Sequence, residues 1–159
     1  MSLDHWGSYV QEFIKGLLKT MNLDALYNQK IKKAAQFVTP PTTWENAQLN
    51  AKKRSPTCGS VIEICAQSDG TLITRLGLDA SKACLLSQAA CAVLLKALPC
   101  PFELKLAQEG LETITAFLNG KRLTNTHWKE FEIFTPAIDF RSRHPSIKLP
   151  FQTLMLLYI

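Results

Sequence analysis

The period of apolar and polar positions changes twice along this chain. Over residues 3–22, Trp6, Tyr9, Val10, Phe13, Leu17 and Met21 fall at helical spacing and predict an amphipathic helix. Such a stripe packs in a core or an interface, or lies on a membrane surface. Residues 24–37 carry a second helical pattern, with Leu26, Ile31, Ala34 and Ala35 among polar positions, and Pro40-Pro41 ends it. Alternation then replaces helical spacing. Residues 46–53, 60–67 and 71–78 read as strands; the second is rich in β-branched residues, and Ser68-Asp69-Gly70 marks a turn between the last two.

Past Asp79 the helical period returns. Residues 80–98 predict a helix with Asp79 or Ser81 as N-cap and Pro99 as stop. Residues 101–118 predict another, with Pro101 in its first turn and Gly120 just past its end. Residues 128–134 fit neither period, and 145–158 read as a final apolar helix. Strands gathered early and helices gathered late predict an α+β fold, a small antiparallel three-stranded sheet covered on one face by helices. No internal repeat or low-complexity segment interrupts the pattern.

Composition narrows the class. The 159 residues are 47% apolar and 19% charged, which suits one globular domain. The net charge of +5 is spread out. Its densest groups, Lys30 to Lys33 and Lys52-Lys53-Arg54, are not interleaved with aromatic residues. That argues against a nucleic-acid partner and for a solvated basic surface, or a docking patch for an acidic one. The first 25 residues lack a secretory pattern. The apolar run 83–98 is broken by Ser87, Gln88 and Lys96, too polar to span a bilayer. Five cysteines, an odd number, argue against a disulfide framework and for a reducing compartment such as the cytoplasm, where free thiols bind metals.

Three segments carry candidate chemistry. Ser55-Pro56-Thr57-Cys58-Gly59-Ser60 sits where a loop enters a strand. Pro56 stiffens the approach and Gly59 permits a tight turn beside a ligand, although a buried cysteine in a turn fits equally well. Cys84 opens a predicted helix beside Lys82, and both features favour a thiolate. Cys91, seven residues on, lies ~10 Å away along the same face and reads as core. Cys65 within a strand and Cys100 between two prolines are weaker candidates. The third segment is Arg141-Ser142-Arg143-His144-Pro145-Ser146, before Ile147-Lys148-Leu149-Pro150-Phe151. His144 is a candidate ligand only where the fold brings it to the two cysteines. No C-x-x-C or H-x-x-x-H spacing, P-loop, G-x-G-x-x-G or G-x-S-x-G is present.

In this order the three segments resemble the IscU/NifU N-terminal family of iron–sulfur cluster scaffolds. Pro56-Thr57-Cys58-Gly59-Ser60 is similar to that family's Pro-x-Cys-Gly-Asp. Cys84-Leu85-Leu86-Ser87-Gln88-Ala89-Ala90 is similar to Cys-Ala-x-x-x-Ala-Ser. Arg143 to Phe151 is similar to Arg-x-x-Cys-x-x-Leu-Pro-Trp. The resemblance covers roughly residues 27 to 157. It implies an IscU/SufE-like scaffold domain over 23–159, with 1–22 as a helical extension.

By that resemblance the protein is not an enzyme. It would take sulfur from a cysteine desulfurase, build a [2Fe–2S] cluster, and pass it to acceptor apo-proteins or a chaperone. Two positions depart from the pattern: Ser60 replaces the acid and Ser146 the third cysteine. His144, two residues before Ser146, is expected to complete a Cys58, Cys84, His144 ligand set from an extended lead-in to the last helix, since Pro145 disfavours helical geometry before it. Zinc is the alternative occupant. A degenerate relative serving as an interaction module, or an unrelated thiol enzyme needing a base beside its cysteine, are the competing readings.

Overall fold

The computed structural model describes residues 4–158. Helix α1 (Asp4–Leu26) and helix α2 (Gln29–Gln36) precede strands β1 (Leu49–Arg54), β2 (Val61–Ser68) and β3 (Leu72–Asp79). Helix α3 (Leu85–Ala97), strand β4 (Phe102–Glu103) and helix α4 (Leu104–Leu118) follow. The chain closes with 3-10 turns over Thr126–Ala137 and Arg141–Arg143, helix α5 (His144–Met155) and a last 3-10 turn, Leu156–Tyr158. The architecture is α+β. The strands form an antiparallel meander in the order β1-β2-β3-β4, so the expected sheet gains a fourth strand.

Residues 1–3 and 159 of the expected extension and domain lie outside the described residues, as does the Met21 side chain. The boundary between the first two helices falls later than the pattern suggested. Residues 24–26 continue α1, and Asn28 starts α2 by accepting N–H bonds from Lys30 and Ile31 at 2.9 and 3.1 Å, the work of an N-cap side chain.

Alternation fixes which face of the sheet is inside. Ile62, Ile64 and Ala66 of β2 are buried on the core face. There Ile64 stands between Ala51 and Leu78, and Ala66 between Leu49 and Leu76. Helix α5 packs on β1 and β2, and α3 and α4 pack on α5. The opposite face is partly covered by the 42–44 segment. Thr42 donates its N–H to Leu78 O at 2.9 Å. A Cβ at Gly77 would stand 2.9 Å from the Trp44 ring, so only glycine admits this approach.

Three elements differ from the expected ones in ways that matter for the site. Helix α3 begins at Leu85 rather than at 80. Asp79 turns its carboxylate onto the Ser81 N–H at 2.8 Å, which spends the predicted cap on a local turn. Pro101 lies ahead of α4 rather than in it, and Phe102–Glu103 pair with Ile73 and Leu72 as β4. The 126–137 region is 3-10, with non-helical backbone at Trp128 (φ −100°, ψ 16°). It drives Trp128, Phe131 and Phe134 into the core, where the Phe131 ring meets Phe151 edge-on at 5.6 Å. Gly120 (φ 92°) ends α4 as expected. Its N–H reaches Phe117 O at 2.9 Å and the Lys121 N–H reaches Ala116 O at 3.1 Å, the paired bonds of a Schellman turn.

Candidate functional site

Cys58 rides on the hairpin loop that joins β1 to β2. Arg54 pairs with Val61 at the base of that loop. The Ser55 N–H donates to Ser60 O at 2.8 Å and the Gly59 N–H to Ser55 O at 3.0 Å. Gly59 takes φ 71°, where a side chain would be strained. The tight loop lifts Cys58 into solvent while its flanking serines, Ser55 and Ser60, stay buried.

Cys84 is the N-cap residue of α3 and caps nothing with its own side chain. Its position is tied to the hairpin twice. The Val61 N–H donates to Lys82 O at 3.1 Å, and the Cys84 N–H donates to Ser60 Oγ at 2.8 Å. Ser60 Oγ is also 3.0 Å from Cys58 Sγ. One buried hydroxyl therefore stands between the two cysteines, in contact with the thiol of the first and the backbone of the second.

Helix α5 closes the third side. Ser146 Oγ is 3.2 Å from Cys58 Sγ and donates to it. Ser87, three residues into α3 and fully buried, donates to Ser146 O at 2.7 Å and lies 3.5 Å from Cys84 Sγ. Three elements thus meet at Cys58, Cys84 and Ser146, with Ser60 and Ser87 as the rivets between them.

This surrounding sets the state of Cys58. Burial pushes its thiol up. Hydrogen bonds from the hydroxyls of Ser146, Ser55 and Ser60, and from the Ser60 backbone N–H, more than offset that and bring it down to about 6. The hydroxyls favour the thiolate because they donate to the charged form. Cys58 is then ionised at neutral pH without a base beside it. Cys91 has the opposite fate: burial pushes its thiol far up, and it belongs to the core as expected. Cys65 is buried, and Cys100 is exposed with a thiol raised by burial; neither hydrogen-bonds into this cluster among the described residues.

His144 does not join the two cysteines. It is the first residue of α5, in αR geometry (φ −56°, ψ −42°), not in an extended lead-in. Pro145 sits in the first turn, where its missing N–H costs no helical bond. Positions 144 and 146 are therefore about 200° apart around the helix. Ser146 faces Cys58, and His144 is turned away, buried, with Nε2 2.8 Å from Ala137 O. Among the described residues no three His, Cys, Asp or Glu side chains converge as a metal-binding group. The cysteine sulfurs gathered here number two, and the third position of the site is a hydroxyl.

Ser60 and Ser146 depart from the family pattern, yet both hold the site together by hydrogen bonds that the pattern does not reveal. The signal was present: serines at 55 and 60 bracket Cys58, and a serine stands three residues after Cys84.

No family model matches the chain, and no curated protein matches it in sequence. Solved structures do match. The N-terminal part of a nitrogen-fixing NifU-like protein from Brucella abortus superposes with a TM-score of 0.76 at 20% identity, covering 86% of this chain and 94% of that one. A protein assigned as an iron–sulfur cluster assembly scaffold for the SUF system, from the thermophile Fervidobacterium islandicum AW-1, superposes with a TM-score of 0.75 at 19% identity, covering 84% and 97%. The fold is that of the NifU-type scaffold proteins. At these identities the likeness extends to architecture; function rests on the site.

Proposed function

We propose that this protein is a scaffold on which an iron–sulfur cluster is assembled and from which it is handed on. Cys58 and Cys84 supply the thiolates, and the Ser146 hydroxyl stands in the third position. The observation that carries this reading is an exposed Cys58 set across the Ser60 hydroxyl from Cys84. Soft thiolates suit iron and sulfide. A neutral hydroxyl is a weak donor to iron, so the third position holds its cargo loosely, which suits transfer. The fold likeness to NifU-type and SUF-system proteins supports the same role.

The Cys58 thiolate also suits sulfur acceptance. It would attack the outer sulfur of a persulfide on a cysteine desulfurase. The new S–S bond leaves Cys58 as the persulfide, and the desulfurase cysteine departs as its thiolate, with no net redox change. Acceptor apo-proteins or a chaperone are the expected recipients of the finished [2Fe–2S] unit. No turnover chemistry is assigned to the protein itself. No helix among the described residues is long and apolar enough to cross a membrane, in keeping with a site that must meet diffusing partners.

Anaerobic reconstitution with ferrous iron and sulfide tests the proposal. A brown protein with visible thiolate-to-iron absorption is expected, lost in Cys58→Ala and in Cys84→Ala. A colourless protein carrying stoichiometric zinc after the same treatment refutes cluster assembly and favours the zinc-binding alternative.

A further inference from the structure

Seven large apolar side chains of α1 are about half exposed or more. Trp6 is 74% exposed, Tyr9 68%, Val10 49%, Phe13 69%, Ile14 48%, Leu17 49% and Leu18 54%. They follow one another in steps that keep to one side of a helix, so they form a single stripe. The stripe is not what anchors α1 to the domain. That role falls to Leu26 at the other end of the helix, buried in the core. The three rings carry ~150–250 Å² of surface each, and with the four aliphatic residues the exposed apolar area is on the order of 700 Å². That exceeds the ~300–600 Å² patch of an ordinary monomer and approaches the ~800 Å² that one partner brings to a stable interface.

We propose that this stripe is the contact with a second copy of the chain, formed by two α1 helices packed antiparallel about a twofold axis. The sequence of the stripe is complementary to itself about a twofold axis. With the axis between Gln11 and Glu12, Trp6 faces the partner's Leu17, Tyr9 faces the partner's Ile14, and Val10 faces the partner's Phe13. Each ring meets an aliphatic side chain, and the twofold axis repeats every pair, as a closed dimer requires. A parallel pair would instead set ring against ring at 6, 9 and 13. Antiparallel packing also opposes the two helix dipoles.

The polar side of the helix argues against a bilayer as the occupant. Among residues 6–18 the charged side chains are Glu12 and Lys15, one of each sign, 3.7 Å apart. Helices that lie on membranes carry an excess of Lys and Arg there. Covering most of both stripes buries on the order of 1,000 Å² or more in total, at the lower edge of specific interfaces. A dimer in the micromolar range is the expected strength.

Sedimentation velocity of the full chain, diluted through the micromolar range, tests this. The 17.8 kDa chain should sediment at twice its mass at the top of the series and dissociate on dilution. Phe13→Lys and Val10→Glu, each at an exposed position, should weaken the dimer at least about tenfold while leaving thermal unfolding of the monomer unchanged. The double variant should regain the dimer, because the register sets the two opposite charges against each other across the axis. A wild-type chain that stays monomeric throughout overturns the proposal, whether it remains free in solution or co-sediments with anionic phosphatidylserine vesicles. A dimer that survives both single changes also overturns it, and failure of the double variant to regain the dimer overturns the antiparallel register.

Discussion

Replacing Ser146 with alanine isolates the device that holds Cys58 as a thiolate. Ser146 is the foremost of the donors that lower this thiol from the ordinary 9.0 to about 6, and its Oγ is 3.2 Å from the sulfur. A hydrogen bond to a charged group contributes ~1.5–3 kcal/mol when shielded. Cys58 is exposed, so screening cuts this to about 1 kcal/mol. At ~1.36 kcal/mol per pH unit, the midpoint should rise by roughly 0.5–1 unit in Ser146→Ala. The assay is the pH dependence of iodoacetamide labelling, read by mass spectrometry at the Cys58 peptide alone. The same shift has a stability sign. A thiol lowered in the folded state contributes stability that is fully present above its unfolded pKa near 9.0 and is lost as pH falls through about 6. The Ser146→Ala chain should therefore show a shallower rise of stability with pH across that window. A wild-type labelling midpoint in the ordinary thiol range, or one that Ser146→Ala leaves in place, refutes the reasoning.

The other outcomes follow from the same contacts. Ser146→Cys puts a third sulfur beside Cys58, and iron retained after anaerobic gel filtration should rise while transfer to an apo-ferredoxin slows; unchanged retention would show that position 146 does not face the cargo. His144→Ala should leave reconstituted iron content at the wild-type level but cost about 1–3 kcal/mol of stability by removing the partner of a buried carbonyl, read from urea unfolding; loss of iron instead would restore His144 as a ligand. Gly110→Ala raises helix propensity by ~1 kcal/mol, yet its Cβ would stand 2.6 Å from the buried Trp128 ring and 3.0 Å from Phe151. The net effect should be destabilising by about 1–3 kcal/mol, and a higher urea midpoint would contradict the packing.

What the sequence made legible was whatever depends on period and local turn chemistry. The β2–β3 hairpin is an example. Asp69 Oδ1 receives the Thr71 and Leu72 N–H groups at 2.9 and 2.7 Å, and Gly70 takes φ 100°, as an Asp-Gly turn should. Strand β4 was invisible for the complementary reason. Two residues cannot show a period, and Phe102–Glu103 become a strand only because the start of β3 offers Leu72 and Ile73 as partners. The 3-10 stretch over 126–137 fits neither template, because its apolar residues are placed by the Trp128, Phe131 and Phe151 rings rather than by regular helical spacing.

The site divides in the same way, and His144 shows where the division lies. Cys58 and Cys84 could be picked out because a hairpin tip and a helix start are local features that expose a sulfur. Whether position 144 or 146 faces them depends on the phase of α5, which a single dipeptide preference cannot decide. Pro145 disfavours helical backbone at the residue before it, but burial of Ile147, Leu149, Phe151 and Leu154 outweighs a local bias of that size. Once α5 includes His144, its phase is set by those apolar residues. Ser146 is then carried to the sulfur and His144 to the Ala137 carbonyl. The third position thus comes from tertiary packing, and it delivers a donor of hydrogen bonds in place of a third cysteine. The serines that result favour the charged form of an exposed sulfur by hydrogen bonding: the hydroxyls of Ser55, Ser60 and Ser146 and the Ser60 backbone N–H donate to Cys58, and none of these groups carries a charge.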